Sequence, residues 1–201
     1  MLAFSLKSFA GAAALAVAAL VAQPAQAAIT FYANLGQFQA ATPPTTLENF
    51  TTPLRPGLTI TGSHVNISGG VMNDQINDNR ATSTTFAFAA PMIAFGGNFD
   101  LAGPGGMGTG ILVTLDLVGG GAQVLAREIP RTLSGGFWGF VSTLAFTAVR
   151  FSEGTQAGNV ETYRLDNLRY AAAPVPVPAP AALGLFGLGL LALGAVCRRA
   201  A

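Results

Sequence analysis

The chain has 201 residues, of which 51% are apolar and 9% charged, and its formal net charge is +1. This weak charge argues against a nucleic-acid-binding surface, and the single cysteine rules out an intrachain disulfide framework. The mean hydropathy of +0.50 is high for a soluble domain because two uncharged stretches, residues 9–22 and 181–197, lie near the ends of the chain.

Residues 1–27 have the pattern of a secretory signal peptide. Lys7 supplies the positive charge, residues 9–22 form an apolar run, and Ala25-Gln26-Ala27 provides the small residues that signal peptidase reads. We therefore expect export, with the mature chain beginning at Ala28. The alternative is an uncleaved N-terminal anchor, for which this apolar run is short compared with the roughly 20 residues of a membrane span.

Residues 28–170 are predicted to form an exported domain without cysteine or lysine. Short runs rich in Val, Ile, Thr and Phe alternate with Gly, Pro, Asn and Asp, a pattern that predicts strands. The predicted strands are 45–50, 58–61, 64–67, 84–88, 92–99, 111–117, 123–129, 137–141, 146–151, 161–165 and 168–170. One helix is predicted over residues 34–41, capped by Asn34. Glycines 119–121 predict a hairpin turn.

Many short strands without βαβ spacing predict an all-β fold, specifically an antiparallel two-sheet sandwich of jelly-roll type. A different composition begins after Tyr170. Residues 171–180 form an Ala/Pro spacer whose four prolines favour an extended, polyproline-like backbone.

Residues 181–201 form the C-terminal segment. As a helix, the uncharged stretch 181–197 would be about 25 Å long, close to a membrane span. Arg198 and Arg199 follow, and the positive-inside tendency would keep this terminus in the cytoplasm.

The set formed by the signal peptide, Val175-Pro176-Val177-Pro178, a short Gly/Leu-rich span and Arg198-Arg199 resembles the C-terminal sorting signal of the PEP-CTERM family of Gram-negative bacteria. The resemblance implies an exosortase-like partner, a membrane-embedded cysteine protease that cuts near the proline motif. It also implies a transient stay in the inner membrane before release to the cell surface or extracellular matrix. Val177 stands where that family has a glutamate. A GPI-anchor signal and a permanent single-pass anchor are the alternatives.

Several motifs of the domain resemble the β-sandwich ectodomains often joined to this sorting signal. They are Phe31-Tyr32, Leu47-Glu48-Asn49-Phe50, residues 94–99, Gly136-Phe137-Trp138-Gly139-Phe140 and residues 163–168. The resemblance implies a non-catalytic protein associated with exopolysaccharide. A carbohydrate-binding, lectin-like module and a weak glycosidase using two carboxylates are the alternatives.

Catalytic residues are not apparent in the domain. Cys197 lies in the C-terminal segment, and His64 is predicted to be a surface residue of a strand. Residues 103–110 lack the lysine of a phosphate-binding loop and are interpreted as a flexible loop. Residues 73–79 are interpreted as a solvated turn, with a calcium loop as the alternative.

Two sites remain as hypotheses. In carbohydrate-binding jelly rolls, a Glu on the first strand and an Asp on the last often share a structural calcium, and Glu48 and Asp166 occupy matching places. No other cofactor is indicated. Trp138 is either an aromatic platform for a glycan or a residue of the sandwich core.

Overall fold

The computed structural model describes residues 28–51, 53–77, 82–156 and 158–174. The elements, in chain order, are β1 Ile29–Tyr32, α1 Leu35–Ala40, β2 Thr46–Glu48, β3 Leu58–Gly62, β4 Asn66–Ser68, β5 Val71–Ile76, β6 Thr84–Asp100, β7 Ile111–Leu117, β8 Ala122–Val124, β9 Gly136–Glu153 and β10 Glu161–Ala172. Every strand pairing described is antiparallel. The predicted antiparallel all-β class is therefore confirmed.

Two long strands, β6 and β9, run through both halves of the fold. The first half of β6 pairs with β3 and with the second half of β9, which also pairs with β7. The second half of β6 pairs with β10 and with the first half of β9, which also pairs with β1. The hydrogen-bonded order β4-β5-β10-β6-β9-β7-β8 is thus one sheet whose central strands serve two layers.

The bend between the layers follows from the sequence at the middle of β6. The register with β9 shifts between Ala87 and Met92, and again between Met92 and Ala94. Pro91 lies in this irregular region, where its missing N–H group breaks no regular ladder. Bulges of this kind bend a strand, which lets its two ends belong to different layers.

Aromatic side chains fill the space between the layers. Phe95, in the second half of β6, lies 5.3 Å from Phe86 in the first half and 5.8 Å from Phe151 of β9, measured between ring centroids. Phe99 lies 5.9 Å from Phe151 in the same way, and these rings are fully buried. Because the two halves meet through the same core, the domain is a β-sandwich.

Helix α1 covers part of the outer face of one layer. The Asn34 side chain accepts a hydrogen bond from the Gln37 N–H group at 3.1 Å, which confirms the predicted N-cap. Phe38 is fully buried, and its ring centroid lies 5.2 Å from that of Phe137 on β9. The helix therefore shields Phe137, on the outer side of β9, from solvent.

The predicted strands mostly exist but are joined differently. Residues 84–88 and 92–99 are parts of β6, and residues 137–141 and 146–151 are parts of β9. The predicted hairpin over glycines 119–121 is confirmed as β7–β8, although β8 ends at Val124. Strand β10 continues to Ala172, two residues into the predicted spacer.

Within the described ranges, no helix is long and apolar enough to cross a membrane. The predicted signal peptide and the residues from 175 onward lie outside these ranges, so they have no structural account here.

Candidate functional site

A polar groove lies on the outer face of the layer formed by β5, β10 and β6. Its volume is about 330 Å³. The lining residues are Val71, Asn98, Asp100, Gly135, Arg164, Asp166 and Asn167. The groove is thus lined mostly by amides and charged groups, with one aliphatic side chain.

The strand register explains why these side chains share one face. Arg164 of β10 is paired with Asp100 of β6, and Asp166 is paired with Asn98. Alternate residues of a strand point to the same side of a sheet, so these two pairs form adjacent rows. The residue between them on β10, Leu165, is buried in the core instead.

Hydrogen bonds to the backbone hold several groove residues in place. Asp100 Oδ1 accepts the Gly103 N–H group at 2.9 Å, and Asp166 Oδ1 accepts the Asn167 N–H group at 2.6 Å. The Asn98 side-chain amide donates to the Gly135 carbonyl at 3.2 Å. Each of these carboxylates uses its Oδ1 atom for the backbone contact.

The Asn167 backbone shapes the end of the groove. Its φ angle is 51°, a left-handed conformation that asparagine tolerates better than most residues. The register of β10 against β6 shifts between Asp166 and Arg169, at this same residue. The bulge turns Asn167 toward the groove, while Leu168 returns to the core.

The polar surface continues from the groove onto the neighbouring strands. Asn73 of β5 is paired with Arg164, and Asn66 of β4 is paired with Asn73. Gln75 is paired with Thr162 and donates a hydrogen bond to its hydroxyl at 3.4 Å. We call this surface, from Asn66 across to Asp100, the polar strip.

The charged residues of the groove, Asp100, Arg164 and Asp166, do not form direct ion pairs with one another. Arg150 of β9 and Asp116 of β7, in the other layer, do form an ion pair at 2.5 Å. Arg164 is exposed beside Asp100 and Asp166 without such a contact. Its guanidinium donors therefore remain accessible to a polar ligand.

Trp138 does not form an exposed aromatic platform. It is 4% exposed and packs against Phe31 and Phe99, with ring centroids at 5.9 and 6.2 Å. Phe137, on the opposite side of β9, is covered by Phe38 of α1. Both faces of β9 are buried at these two residues, so the core alternative for Trp138 is the one the structure supports.

Glu48 and Asp166, the predicted calcium ligands, are placed in different surroundings. Glu48 is 1% exposed, and its two oxygens accept the N–H groups of Phe50 and Arg55 at 2.6 and 2.7 Å. Asp166 lines the polar groove. Glu48 thus holds the loop in which Phe50 has a positive φ of 55°. The described residues contain no group of three or more His, Cys, Asp or Glu arranged for a metal, and calcium at this pair stays a prediction.

The interpretation of residues 73–79 as a solvated turn was wrong for their first part. Val71–Ile76 is strand β5, in which Met72, Asp74 and Ile76 are buried and the residues between them are less so. Met72, Asp74 and Ile76 occupy every second position, the spacing of a strand with one buried face. Because the middle one of the three is acidic, the apolar alternation that predicts such a strand was incomplete.

Asp74 belongs to a buried polar cluster that sequence reasoning missed. The Tyr163 hydroxyl donates to Thr84 Oγ1 at 3.0 Å, and Thr84 donates in turn to Asp74 Oδ2. Gln75 donates its backbone N–H group to Asp74 Oδ1 at 2.8 Å. Burial raises the pKa of Tyr163 well above its ordinary value, so its hydroxyl stays protonated as a donor. The cluster is a satisfied structural network joining β5, β6 and β10.

Glu161, at the end of the glycine-rich loop, is a third buried acid in addition to Glu48 and Asp74. Its Oε2 accepts the Gly110 N–H group at 2.5 Å, while Oε1 is buried without a hydrogen-bond partner. A side chain at Gly108 would place its Cβ 2.4 Å from the Val160 carbonyl oxygen, so only glycine fits there. The loop predicted as flexible is therefore tied at one end to Asp100 and at the other to Glu161.

The remaining predicted residues have simpler outcomes. His64 is exposed, as expected, and its Nδ1 lies 3.2 Å from the Gln75 carbonyl oxygen. Ala28, the predicted first mature residue, is described and its N–H group donates to Thr143 Oγ1 at 3.0 Å. The other sorting and cleavage residues lie outside the described residues. They are Ala25, Ala27, Val175, Pro176, Val177, Pro178, Arg198 and Arg199, and Cys197 also lies outside these ranges.

No protein-family model matches this chain, and no curated protein matches it by sequence. The fold and the groove define an antiparallel β-sandwich with a polar outer face.

Among solved structures, the chain is similar to a mutant of CBM29-2, a family 29 carbohydrate-binding module, with 12% identity and a TM-score of 0.46 over 67% of this chain and 100% of that one. A second family 29 carbohydrate-binding module is 11% identical to this chain, with a TM-score of 0.45 over 63% of this chain and 87% of that one. The structure of PfGH50B is 10% identical, with a TM-score of 0.42 over 59% of this chain and 23% of that one. Since these TM-scores are below 0.5, the architecture rests on the strand pairing described above.

Proposed function

We propose that this is an exported, non-catalytic protein whose β-sandwich binds carbohydrate on the polar strip. In this proposal, residues 1–27 direct export and residues 175–199 act as a PEP-CTERM-like sorting signal read by an exosortase-like enzyme. The protein then resides at the cell surface or in an exopolysaccharide matrix, where the domain binds its ligand. The sandwich itself is proposed to have jelly-roll connectivity.

The polar groove is the observation that carries the carbohydrate proposal. Sugars present several hydroxyl groups at fixed spacing, each of which both donates and accepts hydrogen bonds. Asn98, Asp100, Arg164 and Asp166 offer donors and acceptors in two adjacent rows, and backbone contacts already orient three of these side chains. Preorganised groups lose less conformational entropy on binding, which favours affinity for a weakly held polar ligand.

The charge of the groove supports a neutral glycan as its ligand. Two carboxylates, Asp100 and Asp166, face one guanidinium, Arg164. The domain as a whole has seven arginines against nine acidic residues. A uronic-acid or sulfated polysaccharide would therefore be repelled more than a neutral one.

A test of the proposal compares two arginine variants. Binding of the purified protein to a panel of neutral and acidic polysaccharides is measured by calorimetry, with Arg164→Ala as the site variant. Loss of a hydrogen bond from a charged donor is worth about 1.5–3 kcal/mol, so we expect affinity to fall about tenfold or more. Arg150→Ala, which removes an exposed arginine from the other layer, is the matched control and should leave affinity unchanged.

The same samples test the glycosidase alternative. Asp100 and Asp166 lie on neighbouring strands of one groove, an arrangement that a two-carboxylate mechanism could use. Reducing ends are measured after prolonged incubation with each polysaccharide that binds. Release that is lost in Asp166→Asn would replace the binding-module proposal with an enzymatic one, and absence of binding to every polysaccharide would reject both.

A further inference from the structure

A second groove, which we call the apolar end groove, lies at the end of the sandwich where β6 and β9 bend. Phe99, near the last residue of β6, lies 5.9 Å from Phe151, which pairs with Thr84, the first residue of the same strand. The two ends of β6 therefore come together at one end of the sandwich, and its bend forms the other. The groove has a volume of about 460 Å³ and is lined by Ala90, Pro91, Val118, Ala145, Ala172, Ala173 and Pro174.

The surface around this groove is apolar and open to solvent. Val118 is 51% exposed, and residues 89–91 are three consecutive exposed residues of β6. Ala172 and Pro174, at the end of the described chain, are exposed as well. A contiguous exposed surface of this kind is favourable to cover. No charged residue occurs in the segments that form this end of the sandwich, which are residues 89–91, 118–121, 143–145 and 172–174.

Both ends of the domain leave the fold at this same place. The Thr143 N–H group donates to the Ala28 carbonyl at 3.1 Å, two residues before Ala145 of the groove. The Ala173 N–H group donates to the Pro91 carbonyl at 2.9 Å. The first residue of the predicted mature chain thus lies at the bend of β9, and the end of β10 lies at the bend of β6.

The two uncharged stretches of the sequence are connected to this end by short segments. Five residues separate residue 22 from Ala28, and six separate Pro174 from residue 181. A chain spans at most about 3.6 Å for each residue, so Pro174 is no more than about 25 Å from residue 181. With residues 181–197 in a membrane, the apolar end of the sandwich is therefore the end held nearest to it.

A lipid bilayer suits this surface chemically. The groove offers aliphatic and proline side chains, and none of them carries a charge that would have to lose its water. Shallow apolar contacts at the boundary between headgroups and acyl chains are the way in which interfacial protein surfaces bind. Each contact is weak, but the short covalent connection keeps the surface at a high effective concentration beside the bilayer. A free protein partner lacks this advantage.

We propose that the apolar end groove docks the sandwich on the surface of a lipid bilayer while residues 181–197 anchor the chain, with Val118 entering the interface. The proposal rests on the membrane stay included in the proposed function and is independent of carbohydrate binding. It also orients the domain. Asp166 precedes Ala172 by six residues of β10, so the polar groove would be held about 20 Å from the bilayer, where polysaccharide can reach it.

The experiment uses the full chain in vesicles of phosphatidylcholine and phosphatidylglycerol. Cys197→Ser removes the native thiol, and Val118→Cys carries a fluorophore that is quenched by lipids with a spin label near the headgroup. We expect these lipids to lower the emission about twofold or more, as for a probe that is at the bilayer most of the time. Ala172→Cys supplies a second probe in the groove in case Val118→Cys disturbs docking.

Two control variants make the result specific. Met107→Cys places the probe at an apolar residue that is 60% exposed, in the loop that follows the other end of β6, and spin-labelled lipids should not change its emission. Ala90→Asp, added to the chain with Val118→Cys, puts a carboxylate into the groove at an exposed position and should remove the quenching. Thermal melts confirm that each variant is folded.

Each contrary result has a distinct meaning. An unquenched probe at position 118, on chains that float with the vesicles, overturns docking and leaves the rest of the proposed function intact. Equal quenching at positions 118 and 107 means that no particular face is docked. Emission that changes with protein concentration, and not with spin-labelled lipid, assigns the groove to a second copy of the chain. Chains that do not float with the vesicles contradict the membrane stay itself, and docking is rejected with it.

Discussion

Glu161 gives the domain a buried acid whose protonation is coupled to folding. Burial raises the pKa of its carboxyl from 4.5 to about 7, against the lowering effect of the backbone N–H groups it accepts. The folded state therefore binds this proton more tightly than the unfolded state does. Its contribution to stability is complete below about pH 4.5 and is lost as the pH rises through about 7.

We expect Glu161→Gln to flatten the pH dependence of the free energy of unfolding between these two values. The amplitude removed should be of order 2 kcal/mol, since one pKa unit corresponds to about 1.4 kcal/mol and partial hydration reduces the full effect. Urea unfolding at a series of pH values measures it. Asp116→Asn, at a partly exposed ion pair on β7, should keep the slope of the parent protein. A slope unchanged in Glu161→Gln would contradict the assignment.

A calcium effect is the second prediction at the scale of single residues. If Glu48 and Asp166 contribute to a calcium site, a dissociation constant of about 10 μM and millimolar calcium would stabilise the protein by roughly 2.7 kcal/mol. Thermal melts with calcium and with chelator should then differ, and Asp166→Ala should remove the difference. Asp116→Ala provides an acidic control elsewhere. If the melting temperature changes with neither calcium nor chelator, the calcium site is rejected. Glu48 then serves only to hold its loop through the Phe50 and Arg55 N–H groups.

At the scale of elements, helix α1 depends on one side chain for its contact with the sheet. Phe38 is fully buried against Phe137, Ala94 and Ala171, whereas Leu35 is only partly buried. A six-residue helix is too short to be stable alone, so this packing must hold it.

We expect Phe38→Ala to cost about 3 kcal/mol, the lower end of the range for a buried phenylalanine, because it opens a cavity over Phe137. The melting temperature should fall by about 10 °C for a domain of this size. Leu35→Ala should cost less than half as much. A similar loss for both variants would show that the helix is held by its whole face.

At the centre of the sheet, strands β6 and β9 also depend on each other for close packing. Gly96 and Gly139 are paired on neighbouring strands, and a Cβ at Gly96 would lie 2.8 Å from the Phe137 ring and 2.9 Å from the Gly139 Cα. The aromatic ring lies over this bare backbone and is covered in turn by α1. Glycine is therefore required at Gly96 because the Phe137 ring packs directly on the paired backbones of Gly96 and Gly139, beneath Phe38 of α1.

At the scale of the whole molecule, the proposed route from export to the surface makes a prediction about both ends. N-terminal sequencing of the surface-located protein should begin at Ala28, whose amino group can still donate to Thr143 after cleavage. Intact-mass analysis should show that Arg198 and Arg199 have been lost. Deletion of the exosortase-like enzyme should preserve both arginines. A mature surface protein that keeps them in its normal host would favour the permanent anchor.

Local chemistry in the sequence was sufficient for the class of fold and for several of its parts. The Asn34 cap, the glycine turn between β7 and β8, and the Val-, Ile-, Thr- and Phe-rich runs depend on neighbouring residues, so they can be read without knowledge of the rest of the chain. The composition of the two ends likewise predicts export and sorting, although those residues lie outside the described ranges.

Tertiary structure alone decided how these parts combine. Short predicted strands became the long β6 and β9 because irregular pairing near Pro91 and Ala145 bends a strand without ending it. Trp138 became a core residue because its side of β9 packs against Phe31 and Phe99. Asp74 could be buried because Thr84 and Tyr163, on two other strands, satisfy it with hydrogen bonds. The polar groove likewise joins Asn98, Asp100, Arg164 and Asp166 only through the register between β6 and β10, which long-range packing sets.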